Sequence, residues 1–347
     1  MTNRYKGDVS RRQLMKGMGA ASSLAMTGSM LSVGKALAQG TYEVNMQLGW
    51  LASNGILGEV AADRLGYYAD EGMSLNIIPG GPNIDGVASV ASGRSNLGSI
   101  SSSPSLMLAR AAGIPIKCIA AGYQKHPFTY FSLKSNPVNT PADLVGKRVA
   151  TNGTARILLD ALLAANNISS DDLEIIVSGA DMSVLMTGQA DVVTGWSTNT
   201  SALAVLGDQR VDLSLWDAGV QLYANPYYVT DRTLAEHRDK VEAMIRVSAK
   251  GWGWVHDNPE QAAEFLVERY PNLDLDAEKS TVGLINDFSF NESTAARGWG
   301  TMTAENWQSQ LDAYERLGQF DGAAPALDDL VDFSILDATV ADRPTYG

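Results

Sequence analysis

The 347-residue chain has one cysteine, Cys118. No internal disulfide is possible, and its place in the apolar run 116–121 predicts a buried structural thiol. Histidine is nearly as scarce: His126, His237 and His256 stand far apart, none with metal-ligand spacing, so no metal site is expected. No apolar run reaches the roughly 20 residues that a membrane-spanning helix needs. No Ser-His-Asp arrangement, paired-carboxylate motif or cofactor fingerprint stands out, so neither catalysis nor a cofactor is expected. Basic residues are few, 26 Lys and Arg against 39 Asp and Glu, for a net charge of −13. Such acidity disfavours nucleic acid and anionic membranes as partners.

What is present begins with an address. Ser10-Arg11-Arg12-Gln13-Leu14-Met15-Lys16 sets paired arginines ahead of a weakly apolar, Gly-, Ala- and Ser-rich stretch at 17–34, and Ala36-Leu37-Ala38 supplies a small-x-small cleavage pattern. Together these read as a twin-arginine signal peptide over residues 1–38, which exports a folded protein to the periplasm. That stretch carries +5, which leaves −18 on the remaining 309 residues. This length suffices for two lobes, each with its own core.

Short apolar strands alternate with amphipathic helices, predicting an α/β fold with mostly parallel sheets. Strands are expected at 42–48, 75–78, 97–99, 116–121, 129–133, 149–150, 174–177 and 192–194, with helices at 57–68, 84–92 and 157–165 between them. Ser103-Pro104 is expected to cap and open a helix ending near Gly113, and Thr154 to cap another. After Tyr223 the pattern is helical, at 234–255, 259–270 and 304–317, a tail expected to pack back on the first lobe. One lobe would comprise 41–126 plus 228–347 and the other 127–227, with crossovers near Pro127 and Asn225. The stretches 91–98 and 186–193 echo each other: each ends a helix on glycine, then opens a strand after an Asn or Asp.

In open α/β sheets, ligands bind beyond the C-terminal ends of strands. That rule selects Trp50 and Asn54 after the first strand, the Gly80-Gly81-Pro82-Asn83 turn (with Asn83) after the second, Ser101 and Ser102 after the third, and Tyr123 after the fourth. In the other lobe it selects Thr154, Trp196 and Asn199, with Phe128 at the boundary. Tyr223, Asn225 and Tyr227 lie near the return crossover, where at most one of Tyr227 and Tyr228 can face a ligand. This set is rich in aromatic and poor in basic residues. It favours a planar, mostly neutral solute held between Trp50 and Trp196 over a small anion.

Several stretches resemble one family. Leu65-Gly66-Tyr67-Tyr68-Ala69-Asp70-Glu71-Gly72-Met73, Val90-Ala91-Ser92-Gly93 through Ser101, Thr140-Pro141-Ala142-Asp143-Leu144-Val145-Gly146-Lys147-Arg148-Val149 and Thr187-Gly188-Gln189-Ala190-Asp191 resemble, in order, segments of the solute-binding proteins for sulfonates, nitrate and thiamine-precursor pyrimidines. The resemblance spans residues 44–230. It implies a two-lobed periplasmic-binding-protein fold with two crossovers and a ligand cleft between the lobes. It also implies a monomer that delivers a small molecule to an ABC permease and its ATPase. A thiamine-pyrimidine synthase with a similar fold consumes its own histidine and a lysine-bound pyridoxal phosphate and has a cysteine-rich segment. Here the stretch 50–66 has no histidine or lysine, and Cys118 is alone, so that chemistry does not transfer.

The export reading predicts a mature protein beginning at Gln39, as read by mass spectrometry. Replacing Arg11 and Arg12 by lysine is expected to leave precursor in the cytoplasm; unchanged export would refute the twin-arginine route.

Overall fold

Alternation of apolar and polar residues does become strand, and the glycines that punctuate it become turns. The computed structural model describes residues 40–81, 84–179 and 181–347; the expected signal peptide and Asn83 lie outside them. In chain order the strands are β1 (Tyr42–Leu48), β2 (Met73–Ile78), β3 (Leu97–Ser99), β4 (Ile116–Tyr123), β5 (Phe128–Leu133), β6 (Arg148–Thr151), β7 (Glu174–Val177), β8 (Val192–Trp196), β9 (Arg210–Ser214) and β10 (Ala224–Thr230). They form two five-stranded sheets, ordered β2-β1-β3-β10-β4 and β7-β6-β8-β5-β9. In the first, β1 pairs parallel with β2 and β3, while β10 runs antiparallel to β3 and β4. In the second, β6 pairs parallel with β7 and β8, while β5 runs antiparallel to β8 and β9.

The two sheets are therefore built alike, each with one reversed strand, and in each that strand is the first after the chain changes sheets. The sequence echo marks this equivalence. Gly93 (φ 77°) and Gly188 (φ 67°) end the helices Gly86–Ala91 and Ser183–Met186 in the left-handed region, where glycine costs least. Three residues later in each, a side-chain carboxyl or amide oxygen takes a backbone N–H of the neighbouring strand. Asn96 Oδ1 accepts from Asn45 N, and Asp191 Oδ2 from Arg148 N, both at 2.9 Å. These bonds fix the register of β3 on β1 and of β8 on β6.

The helical tail comprises Asp231–Asp257, Pro259–Arg269, Leu275–Ser289, Glu292–Arg297 and Ala304–Arg316. Thr230 caps the 27-residue helix through its hydroxyl, which accepts from Thr233 N at 3.0 Å. That helix crosses Leu57–Arg64 at a glycine pair: a Cβ on Gly251 would lie 2.1 Å from Gly58 O, and one on Gly58 would lie 2.3 Å from the Trp252 ring. Trp252 stacks on Trp299 with centroids 6.0 Å apart, and both are fully buried.

Some local expectations change. Ser102, not Ser103, occupies the N-cap position of the helix Ser103–Ala111; Ser103 is already helical, and its hydroxyl donates to Tyr223 O and Gln310 Oε1. Asn152, not Thr154, caps Gly153–Ala165, accepting from Ala155 N at 2.9 Å, because the helix starts one residue before Thr154. The helix expected over 57–68 and ending near Gly66 does stop there: Gly66 (φ 81°) separates Leu57–Arg64 from a further short helix, Tyr67–Asp70.

The glycine crossing predicts that Gly251→Ala lowers unfolding free energy by roughly 1–3 kcal/mol, since the added methyl meets the Gly58 backbone and the rigid Ala62 methyl, neither of which can swing aside. Urea denaturation checks this; an unchanged midpoint would mean the helices separate at no cost.

Candidate functional site

The parallel strands of both sheets deliver their C-terminal ends to matching places. Four residues after the first residue of β3 lies Ser101, and four after the first of β8 lies Trp196. Gly80 belongs to the turn after β2; a Cβ there would lie 2.3 Å from Leu48 O, so the glycine lets this turn close against the end of β1.

Around Trp196 the sheets meet. Tyr123, the last residue of β4, lies with its ring centroid 6.0 Å from Trp196, and His126 meets the same indole edge-on at 5.5 Å. Tyr123 also stacks on Phe288 at 6.1 Å and meets Trp252 edge-on at 6.2 Å. Tyr123, His126 and Trp252 are fully buried, whereas Trp196 and Phe288 are half-buried and form the open side of the cluster. Beside it, Asn54 Nδ2 donates to Thr198 O at 3.0 Å and to Glu278 Oε2 at 3.1 Å, tying the loop after β1 to the loop after β8 and to the helix Leu275–Ser289. Thr200 and Thr281 share a short hydroxyl hydrogen bond along the same seam. Asn225, at φ 47°, donates to Gly55 O at 3.4 Å.

The electrostatics are distinctive. His126 Nδ1 accepts the Phe128 N–H at 3.1 Å, so the ring proton sits on Nε2. Burial pushes the imidazole pKa down to about 3, which keeps it neutral. Its Nε2 and the Tyr123 hydroxyl are buried with no hydrogen-bond partner among the described residues. Glu59, below the cluster, accepts from the Tyr227 hydroxyl at 2.6 Å, and burial raises its pKa to about 7. Burial also raises the Glu278 carboxyl, against the lowering effect of its bond from Asn54.

Of the residues expected from sequence, the structure brings together Asn54, Tyr123 and Trp196, with Asn225 adjacent. Trp50 is half-buried and has no ring partner among the described residues; the partners of Trp196 are Tyr123 and His126 instead. Ser101 is half-buried, and the Ser102 hydroxyl lies 3.3 Å from that of Ser105. Asn199 is exposed, and Thr154 lies in the helix Gly153–Ala165. Phe128 is in the core, edge-on to Tyr130 at 5.4 Å. Tyr223 and Tyr227 are also interior: Tyr223 accepts from Thr303 N and packs on Trp307, and Tyr227 is held by Glu59 and Trp252. Tyr227 is interior because β10 is an inner strand of its sheet, between β3 and β4, and Tyr223 directly precedes that strand. Sequence reasoning missed His126, Glu278 and Phe288, while Thr198 lies in the strand-end loop 196–199 that it selected. His126 carried a signal, since it directly precedes Pro127 between Tyr123 and Phe128; Glu278 and Phe288 arrive only through the packing of the tail.

Two like-built sheets whose strand ends converge on one aromatic cluster define the periplasmic-binding-protein fold. A likeness to solved structures agrees: the alkanesulfonate-binding protein SsuA from Xanthomonas axonopodis pv. citri superposes with a TM-score of 0.65 at 16% identity, covering 85% of this chain and 100% of that one. Within that class, the model of the family described as NMT1/THI5 like matches residues 53–262, and the chain belongs to this family. Similar proteins include the formylaminopyrimidine-binding protein of Halalkalibacterium halodurans, 26% identical over 77% of this chain and 84% of that one. The riboflavin-binding protein RibY of Chloroflexus aurantiacus is 26% identical over 59% and 61%. The 4-amino-5-hydroxymethyl-2-methylpyrimidine phosphate synthase of Legionella pneumophila is 22% identical over 66% and 74%.

Glu59 sets a pH dependence. Its folded-state pKa lies above the unfolded value near 4.5, so the folded protein binds the extra proton, and stability falls as pH rises from about 4.5 through 7. Glu59→Gln is expected to gain stability relative to the parent protein across that window and then hold a constant difference. Thermal unfolding at several pH values checks this; parallel profiles would contradict it.

Proposed function

We propose that the protein captures a neutral, planar heteroaromatic solute between its two sheets and presents it to the permease and ATPase of an ABC importer. The observation that carries this reading is Trp196, a half-buried indole on the second sheet, set against Tyr123 and His126 at the end of the first. Flat rings favour such stacked and edge-on surroundings. The uncharged His126 and the carboxyls of Glu59 and Glu278 give the surroundings no positive side chain for a sulfonate or other anion. The relatives that bind a formylaminopyrimidine and riboflavin take nitrogen heterocycles, which supports the same class.

In this reading residues 41–126 plus 228–347 and residues 127–227 act as two lobes that close on the solute. The Asn54–Thr198 and Thr200–Thr281 bonds hold the closed arrangement. The protein works in the periplasm as a monomer, reached by the twin-arginine route. The synthase relative raises an enzymatic reading. Against it stands Cys118, which is buried with its thiol pKa pushed up, away from the cluster and beside Met302. Incubation with labelled pyrimidines is expected to return them unaltered; a covalently labelled protein or a new product would favour the enzyme.

The test is a thermal-shift screen of the mature protein with pyrimidines, flavins, sulfonates and carboxylates. A heterocycle at a hundred times its dissociation constant stabilises the protein by roughly 2.7 kcal/mol. Trp196→Ala is expected to weaken its binding at least tenfold with little loss of stability in the unliganded protein. Stabilisation by sulfonates alone would overturn the choice of solute, and a large intrinsic stability loss in Trp196→Ala would make Trp196 a core residue.

A further inference from the structure

Buried polar groups in folded proteins are almost always paired, because an unpaired one forfeits its hydration. Two such groups lie against one indole here. His126 is fully buried; its Nδ1 is committed to the Phe128 N–H, and its Nε2, on the other side of the ring, has no partner among the described residues. Tyr123 is fully buried as well, and its hydroxyl has none among them either. Both rings contact Trp196, at 5.5 and 6.0 Å. The Nδ1 contact fixes the tautomer, because a backbone N–H can only donate. Nε2 is therefore a hydrogen-bond donor and not an acceptor. Phe128 is the first residue of β5, paired in register with Trp196. The strand that holds the indole and the group that orients the imidazole are thus neighbours in one sheet.

We propose that His126 and Tyr123 read the polar edge of the solute: a ring nitrogen or carbonyl oxygen accepts from His126 Nε2–H while the Tyr123 hydroxyl bonds a second polar atom, with Trp196 over the ring. This rests on the reading of the cluster as the solute site and adds its polarity. The site then selects heterocycles that present an acceptor, and it rejects carbocycles of the same shape, which would leave both groups unpaired. Discrimination of this kind is strong, because the protein's own buried groups go unsatisfied when the wrong molecule binds. Asn54 and Glu278 are already paired with each other and sit at the side.

The test compares 4-amino-2-methylpyrimidine with 3-methylaniline, which has the same outline without ring nitrogens, by calorimetric titration of the full mature protein. The parent protein is expected to favour the pyrimidine by at least tenfold. His126→Phe is expected to lose tenfold to a hundredfold in pyrimidine affinity, the cost of a lost buried hydrogen bond, with little change for the aniline, so that the preference collapses. Tyr123→Phe, which keeps ring shape and packing, is expected to narrow the preference in the same direction. His126→Gln, which retains an N–H donor, should recover part of it and guards against a folding defect in His126→Phe. If Trp196→Ala abolishes binding while His126→Phe and Tyr123→Phe keep the full preference, the polarity assignment falls and the site reading stands. If the parent protein binds neither probe, or binds both equally, the polarity assignment falls too. In that case Trp196→Ala, tested on any solute that does bind, decides the site reading separately.

Discussion

The contact between Trp196 and the Tyr123–His126 pair is where rings from both sheets meet, with the Asn54–Thr198 and Thr200–Thr281 bonds along the same seam. One hydrophobic core runs through both sheets, from Val44, Met46 and Tyr123 to Tyr130, Val149 and Val192. The indole stands at its edge, at the end of β8 in one sheet, and packs on residues at the end of β4 and just beyond it. The four residues between β4 and β5 are the short connection that makes this meeting possible. One of them, His126, becomes part of the contact.

A junction of this kind is chemically unusual for an interior. Its rings are apolar enough to exclude water, yet it retains two hydrogen-bonding groups without partners and a carboxyl, Glu59, whose burial raises its pKa to about 7. A protein optimised only for stability would pair these groups or replace them. Keeping them costs stability but leaves polar atoms with fixed roles beside a flat surface, as a binding site for a polar ring requires. The Asn54 bridge works alongside: one amide donates to the carbonyl of Thr198 and to the carboxyl of Glu278, which ties the loop after β8 to the helix Leu275–Ser289.

Much of this was legible in the sequence. The alternation at 42–48, the apolar run at 116–121 and the Asn-Gly-Thr turn before 157–165 announced β1, β4 and the helix after β6. The echo of Gly93 and Gly188 gave the repeated architecture, because glycine at positive φ and a capping Asn or Asp are local chemistry. Trp196 and Tyr123, which the strand-end rule selected, do come into ring contact. Tyr223, Tyr227 and Phe128 show where that rule stops: the sequence marks a strand end, but whether a ring faces a cleft or a helix depends on which strand is inner. β9 and the helix Leu275–Ser289 were missed, the first although Val211 and Leu213 alternate with Arg210, Asp212 and Ser214, and the second because its burial comes from distant partners. Phe288 and Glu278 came with it. The place of His126 was not legible because it depends on the Phe128 backbone N–H and on packing against Trp196, neither of which spacing shows.

The central claim, that a solute seats against Trp196 between the sheets, is tested most directly by fluorine NMR of the protein labelled with 5-fluorotryptophan. The chain has seven tryptophans, so seven resonances are expected, and Trp196→Phe identifies the relevant one. On titration with a heterocycle that stabilises the protein, the Trp196 resonance should move furthest, while those of Trp216 and Trp307 stay in place. A titration that leaves the Trp196 resonance unmoved while another shifts would contradict the account.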